Sequence, residues 1–248
     1  KTNNDGCTLF CFACEKGHIE IAKLLLNNQR VDINQENKNG ATPFYIACLK
    51  GHIDIVKLLL NDKKLDINKV NNNGTTSFYI ACENGQSEIV KLLLSDNRVD
   101  INKVDKEGAT PFNIACQQGH IEIVKLLLND NRVDVNKANK NEATPFLIAC
   151  KEGHQEVVKL LLNDKRIDIN KADDDGWAPF YSACYNGHVE IVKYLLESGR
   201  EIDINKKDKN GKTGLDWIRE KGNTDIVNLI ESFQNNPNET RTKLRKEL

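Results

Sequence analysis

The apolar residues of this chain fall into short clusters separated by polar, glycine-containing breaks, and the same pair of clusters keeps returning. Ile53, Val56, Leu59 and Leu60 lie on one face of a 3.6-residue period, with Ile55 and Leu58 beside it, which predicts a helix ending near Asn61-Asp62. Upstream, Phe44, Ile46, Ala47 and Cys48 predict a shorter helix. Thr42 is placed to cap it, and Pro43 sits at the first helical position, where a missing amide hydrogen costs nothing. Lys50-Gly51 closes it, with Gly as the left-handed residue that ends many helices. Asn39-Gly40 predicts a tight turn ahead of the pair, and Leu65-Asp66-Ile67-Asn68 an extended segment behind it.

This turn, helix, turn, helix, loop unit is repeated. Cys14, Cys48, Cys82, Cys116, Cys150 and Cys184 recur every 34 residues. Gly17, Gly51, Gly85, Gly119, Gly153 and Gly187 keep the same step, as do Asn34, Asn68, Asn102, Asn136 and Asn170. The turn glycines Gly6, Gly40, Gly74, Gly108 and Gly176 follow it too, with Glu142 in the missing slot. One inserted residue after Gly187 shifts the frame to Asn205, Gly211 and Gly222. Residues 1–233 therefore divide into about seven units, near 1–38, 39–72, 73–106, 107–140, 141–174, 175–209 and 210–233. Residues 234–248 carry no repeat signal and read as a polar C-terminal tail, a solvated linker or helix stub, with Pro237 ending the last helix at the latest. No unit can bury its apolar face alone, so the fold must be a stack held by nearest neighbours.

Gly40-Ala41-Thr42-Pro43-Phe44-Tyr45-Ile46-Ala47-Cys48, then Gly51-His52-Ile53-Asp54-Ile55-Val56-Lys57-Leu58-Leu59-Leu60, then Asp66-Ile67-Asn68, resembles the ankyrin repeat. The resemblance runs over residues 5–233 and implies an all-α fold: an ankyrin-repeat solenoid of stacked helix-turn-helix units with β-hairpin-like loops. Two departures stand out. The His that the family carries in the first helix is replaced by Cys11, Tyr45, Tyr79, Asn113, Leu147, Tyr181 and Asp216, which puts its hydrogen bonding to the turn in doubt. Glu142 occupies a turn position that favours φ > 0, so the fifth unit is expected to have the weakest hairpin.

The last unit reads as a polar cap, with Arg219 in the Cys register, Asn228 in place of a Leu, and Trp217 as core filler. The first unit keeps the internal pattern at Cys14, Ile21, Leu24 and Leu25, and the chain has no Met, so a longer parent with a unit upstream is expected.

Composition changes this picture little. Lys and Arg number 35 against 36 Asp and Glu, so nucleic-acid binding driven by bulk charge is not expected. No apolar run approaches the ~20 residues of a membrane span. In-phase cysteines should sit one stacking step apart, about 8–10 Å, beyond the ~7 Å over which Cα atoms can be bridged. The eight cysteines therefore read as small buried hydrophobes in a reducing compartment, cytoplasmic or nuclear. Cys7, Cys11, Cys14 and His18 cluster, but Cys14 and His18 are register positions, so packing is favoured over a metal or redox role. The five histidines follow the helix-ending glycine and read as structural, and the Asp66 and Asn68 series as loop-stapling hydrogen bonds. No catalytic constellation stands outside the register; a non-enzymatic chain without cofactor or metal is expected.

Positions that vary while the frame stays fixed are free to specify contact. They fall at the hairpin tips and at the last two residues of each first helix, and the family resemblance implies that these line a concave groove. Leu49, Lys50, Lys106, Glu107, Gln117, Gln118, Lys151, Glu152, Asp174 and Asp175 are such candidates. The sixth unit is the outlier: Trp177 stands where earlier units have Ala or Thr, and Tyr181 and Tyr185 share one helix face beside Asp173-Asp174-Asp175. Aromatic anchors with nearby acids suit a Lys or Arg side chain; the competing reading is that Tyr181 is half-buried between units, like Tyr45 and Tyr79, and that Trp177 is incidental. The expected function is a monomeric protein-interaction module binding a protein or peptide, with a basic segment as one candidate partner. The alternative is a targeting or regulatory arm of a larger multidomain protein.

Overall fold

The computed structural model describes residues 2–28 and 30–248. Among these, 15 helices and two isolated antiparallel bridges, Thr2 to Thr8 and Lys207 to Thr213, make up the regular structure. The helices come in pairs that follow the repeat frame: α1 (Leu9–Lys16) with α2 (Ile19–Leu26), α3 (Pro43–Lys50) with α4 (Ile53–Leu60), α5 (Ser77–Glu83) with α6 (Ser87–Leu94), and α7 (Pro111–Gln118) with α8 (Ile121–Leu128). Next come α9 (Pro145–Glu152) with α10 (Gln155–Leu162), α11 (Pro179–Tyr185) with α12 (Val189–Glu197), α13 (Gly214–Lys221) with α14 (Thr224–Asn235), and finally α15 (Pro237–Glu247). The fold class is the expected all-α one.

The pairs belong to two compact bodies: Lys1–Ala115 with Glu122–Val133, and Cys116–Ile121 with Asp134–Leu248. In the first, α3 packs between α1 and α5, and α4 between α2 and α6. In the second, α11 packs between α9 and α13, and α12 between α10 and α14.

Local chemistry explains each pair. Thr42, Thr76 and Thr144 each accept the amide three residues on, supplying a partner that a helix start otherwise lacks. Ala178 holds the same position before α11 and supplies none. Gly153 ends α9 at φ 83, and a Cβ there would lie 2.5 Å from the His188 ring, so both backbone and neighbour demand glycine. Glu142 does adopt φ 58, the one positive φ outside glycine among the described residues. Phe44, Phe78, Phe112 and Phe146 are fully buried, each side chain stabilising by roughly 1.5–3 kcal/mol. The six in-phase cysteines are free and buried, and burial pushes their thiols up, Cys14 to about 12.

Polar ladders join neighbouring repeats. Asn68 donates to Arg98 O at 2.7 Å and accepts the Asp100 amide at 2.8 Å, and Asn136 does the same with Arg166 O and Asp168. His52 pairs through Nε2 with Glu15 O at 2.9 Å, and His188 with Lys151 O at 2.9 Å, so these rings hold the end of the preceding repeat's first helix. Gln86 takes the same place toward Leu49 O.

Three expectations need correction. Cys7 and Cys11 are not two packed thiols; they form a disulfide with Cα atoms 5.5 Å apart. The stacking-step argument excludes bridges between in-phase cysteines, but these two are four residues apart within one unit, on either side of the Thr8 cap. Residues 237–247 are not a solvated linker; the other half of that reading, a helix stub, is closer, since they form a helix docked on α12 and α14, with Leu244 and Thr240 buried and Arg241 donating to Leu196 O. Its start was legible in Asn236-Pro237-Asn238-Glu239, a cap with Pro at the first position; Asn236 accepts the Glu239 amide. Finally, Trp217 is half-buried rather than core filler, for reasons that belong to the site below.

Candidate partner-binding site

The candidate residues come from two structural sources, the last turn of a first helix and the hairpin of the next unit. In the second body Gln117, Lys151, Glu152, Asp174 and Asp175 line one concavity of about 430 Å³ with Asp173. The Asp174 amide donates to Asn141 O, so backbone pairing holds the hairpin in place and leaves the side chains of its tip exposed. Asp173 accepts the amides of Asp175 and Trp177, yet burial of its carboxyl outweighs them and raises its pKa. In the first body Leu49 and Lys50 line a concavity of about 520 Å³ with Tyr45 and Asn71, Asn72 and Asn73. Lys106 and Glu107 sit exposed at a hairpin tip, and Gln118 is exposed at the end of α7; none of the three lines either concavity.

The aromatic outliers do meet. Trp177 lies 4.7 Å from both Tyr181 and Tyr185, ring centre to ring centre, and the two tyrosines stack at 6.2 Å. Tyr181 is only 2% exposed, so it backs the cluster instead of presenting a contact face, which corrects its place among the contact residues. Trp177 and Tyr185 stay half-buried.

Trp217 is the member that sequence reasoning missed. It meets Tyr185 edge-on at 5.9 Å, and its indole donates to Asp208 at 2.9 Å. Asp208 is buried, which opposes ionisation. The amides of Lys212 and Asn210 and the Trp217 indole nevertheless hold its carboxyl below the usual range. Two lysines already lie on these rings: Lys221 Nζ is 3.3 Å from the Tyr185 centroid, and Lys212 Nζ is 4.1 Å from that of Trp217. The cluster thus binds ammonium groups within its own fold.

Two of the residues in place of the family's His bond the threonine of their own turn. Asn113 accepts from both the amide and the hydroxyl of Thr110, and Asp216 does the same with Thr213. The tyrosines reach forward instead, Tyr45 to Asn71 and Thr75, Tyr79 to Asp105, Tyr181 to Asp208.

The family model for ankyrin repeats (3 copies) matches residues 1–71, 61–139, 78–173, 131–208 and 166–241. The chain is an ankyrin-repeat protein. No curated protein matches it. Ankyrin repeats are in general protein–protein interaction modules and typically not enzymes. No described helix of this ankyrin protein is long and apolar enough to cross a membrane.

Proposed function

We propose that this chain is a non-enzymatic protein-interaction module that docks a basic protein or peptide segment in its groove. The observation that carries this reading is the convergence of Gln117, Lys151, Glu152, Asp174 and Asp175 on one concavity, in the same body as the half-buried Trp177 and Tyr185. In that concavity Glu152, Asp173, Asp174 and Asp175 outnumber the single cation Lys151, which favours a partner of positive charge. The helices and hairpins that present these groups are held by the hydrogen bonds above, so little ordering entropy is lost on docking.

The test is crosslinking with photo-reactive groups placed at 177 and 185, followed by affinity measurement on the captured segment. Trp177→Ala and Tyr185→Ala should each weaken binding by roughly 30-fold. Retention of full affinity in both variants would end this reading.

A targeting or regulatory arm of a larger protein is the second reading. Ile21 is 44% exposed, whereas Ile55 and Ile89 in the same register are 1% and 2% exposed. The first repeat thus presents an apolar stacking face of the kind its counterparts bury. Sequencing of the complete transcript decides between the two.

A further inference from the structure

We propose that Cys7 and Cys11 form a reversible oxidation site, a dithiol/disulfide couple exchanged by low-molecular-weight thiols of the glutathione class. Its state locks or releases the hairpin of the first repeat. In the 34-residue register Cys7 stands where later repeats have Ala41 and Trp177, and Cys11 where they have Tyr45 and Tyr181. Tyr45 is long enough to reach the following hairpin at Asn71 and Thr75. Cys11 is not, and it closes on its own hairpin, whose strand is bridged from Thr2 to Thr8. The bond therefore substitutes for a clamp that the side chain is too short to make.

Three features make the couple exchangeable and selective. The disulfide belongs to the first repeat, where Leu9, Phe12, Ile21 and Leu24 are exposed, and a segment with few buried apolar contacts opens at low cost. Cys7 is more accessible than Cys11, 7% against 1%, so an incoming thiolate attacks the Cys7 sulfur. Cys11 then leaves as a thiolate in the first turn of α1, where the helix amides favour negative charge. A second thiol resolves the mixed disulfide on Cys7. In sum, two thiols become one disulfide, and Cys7 and Cys11 gain two electrons and two protons. The six in-phase thiols are buried and free beside the bonded pair.

The released hairpin borders the first groove concavity. Asp5 accepts the Lys38 amide at 2.9 Å, and Asn37 and Asn39 on either side of Lys38 line that concavity, as does Glu15 on α1 itself.

The experiment uses the full chain, equilibrated from both directions in glutathione buffers of varied reduced-to-oxidised ratio, acid-quenched, alkylated and mapped by mass spectrometry. A single transition confined to Cys7 and Cys11, coincident from both directions, is the expected result. Reduction should also speed hydrogen exchange at the Asn3 and Cys7 amides by on the order of tenfold. The Cys7→Ser/Cys11→Ser variant should show that faster exchange in every buffer. A pair that stays dithiol in oxidised glutathione overturns the proposal. So does a native protein that keeps its disulfide in reduced glutathione, since the bond is then a fixed crosslink. Oxidation of the buried thiols over the same range, or redox-dependent exchange surviving in the double variant, overturns it equally.

Discussion

The Tyr79 hydroxyl donates to Asp105 Oδ2 at 3.0 Å, so a side chain on α5 fastens the hairpin of the following repeat. Asp105 Oδ1 meanwhile accepts the amides of Glu107 and Ala109 and shapes that hairpin from within. One carboxylate thus couples the internal order of a repeat to its stacking. Tyr79→Phe keeps the buried ring and deletes only the donor. It should destabilise by about 1.5–3 kcal/mol, the range for a hydrogen bond to a charged group, read as a lower urea midpoint.

Glu142 holds φ 58 with a side chain that disfavours it, and its carboxylate makes an exposed ion pair to Lys171 at 2.9 Å. Surface pairs of this kind contribute little. Glu142→Gly should therefore raise the thermal midpoint, and an unchanged or lower midpoint would show that the ion pair outweighs the backbone strain.

Ala178 leaves the first turn of α11 without the side-chain acceptor that Thr42, Thr76 and Thr144 supply in the same register. Those threonines are all buried, so the position accommodates the extra atoms. Ala178→Thr should stabilise by about 0.5–2 kcal/mol in urea titration.

Acid should weaken the hold of Asp208 on the last repeats. The Asp208 carboxyl is held below its ordinary value in the folded chain, so its contribution is complete above that value and is lost as pH falls through the folded pKa. Below about pH 4 the wild type should lose stability more steeply than Asp208→Asn, which has no such proton to take up. Parallel pH profiles for the two proteins would contradict the role given to Asp208.

Lys221 covers the Tyr185 ring that the proposed partner's cation would use. Lys221→Met should strengthen binding of a basic segment by about 2–5-fold, the worth of one exposed cation–π contact. Weaker binding would mean that Lys221 itself touches the partner.

The helix pairs, their threonine and glycine ends and the turn at Glu142 were legible because each depends on residues within one 34-residue unit, and the same solution is written out in copy after copy. The concavity residues Lys151, Glu152, Asp174 and Asp175 were legible for the complementary reason: they vary where stacking imposes nothing. Trp217 edge-on to Tyr185, Tyr181 sealed beneath Trp177, and Leu244 of α15 buried against α12 and α14 were not, because each lies outside the repeated frame or depends on which side chain the adjoining unit brings against it. The Cys7–Cys11 closure was missed at shorter range, since four residues can be bridged or not according to how the Thr8 cap turns the backbone between them. Periodicity specifies the frame through local propensity and apolar spacing. The residues that break the periodicity acquire their roles only when packing brings distant side chains together.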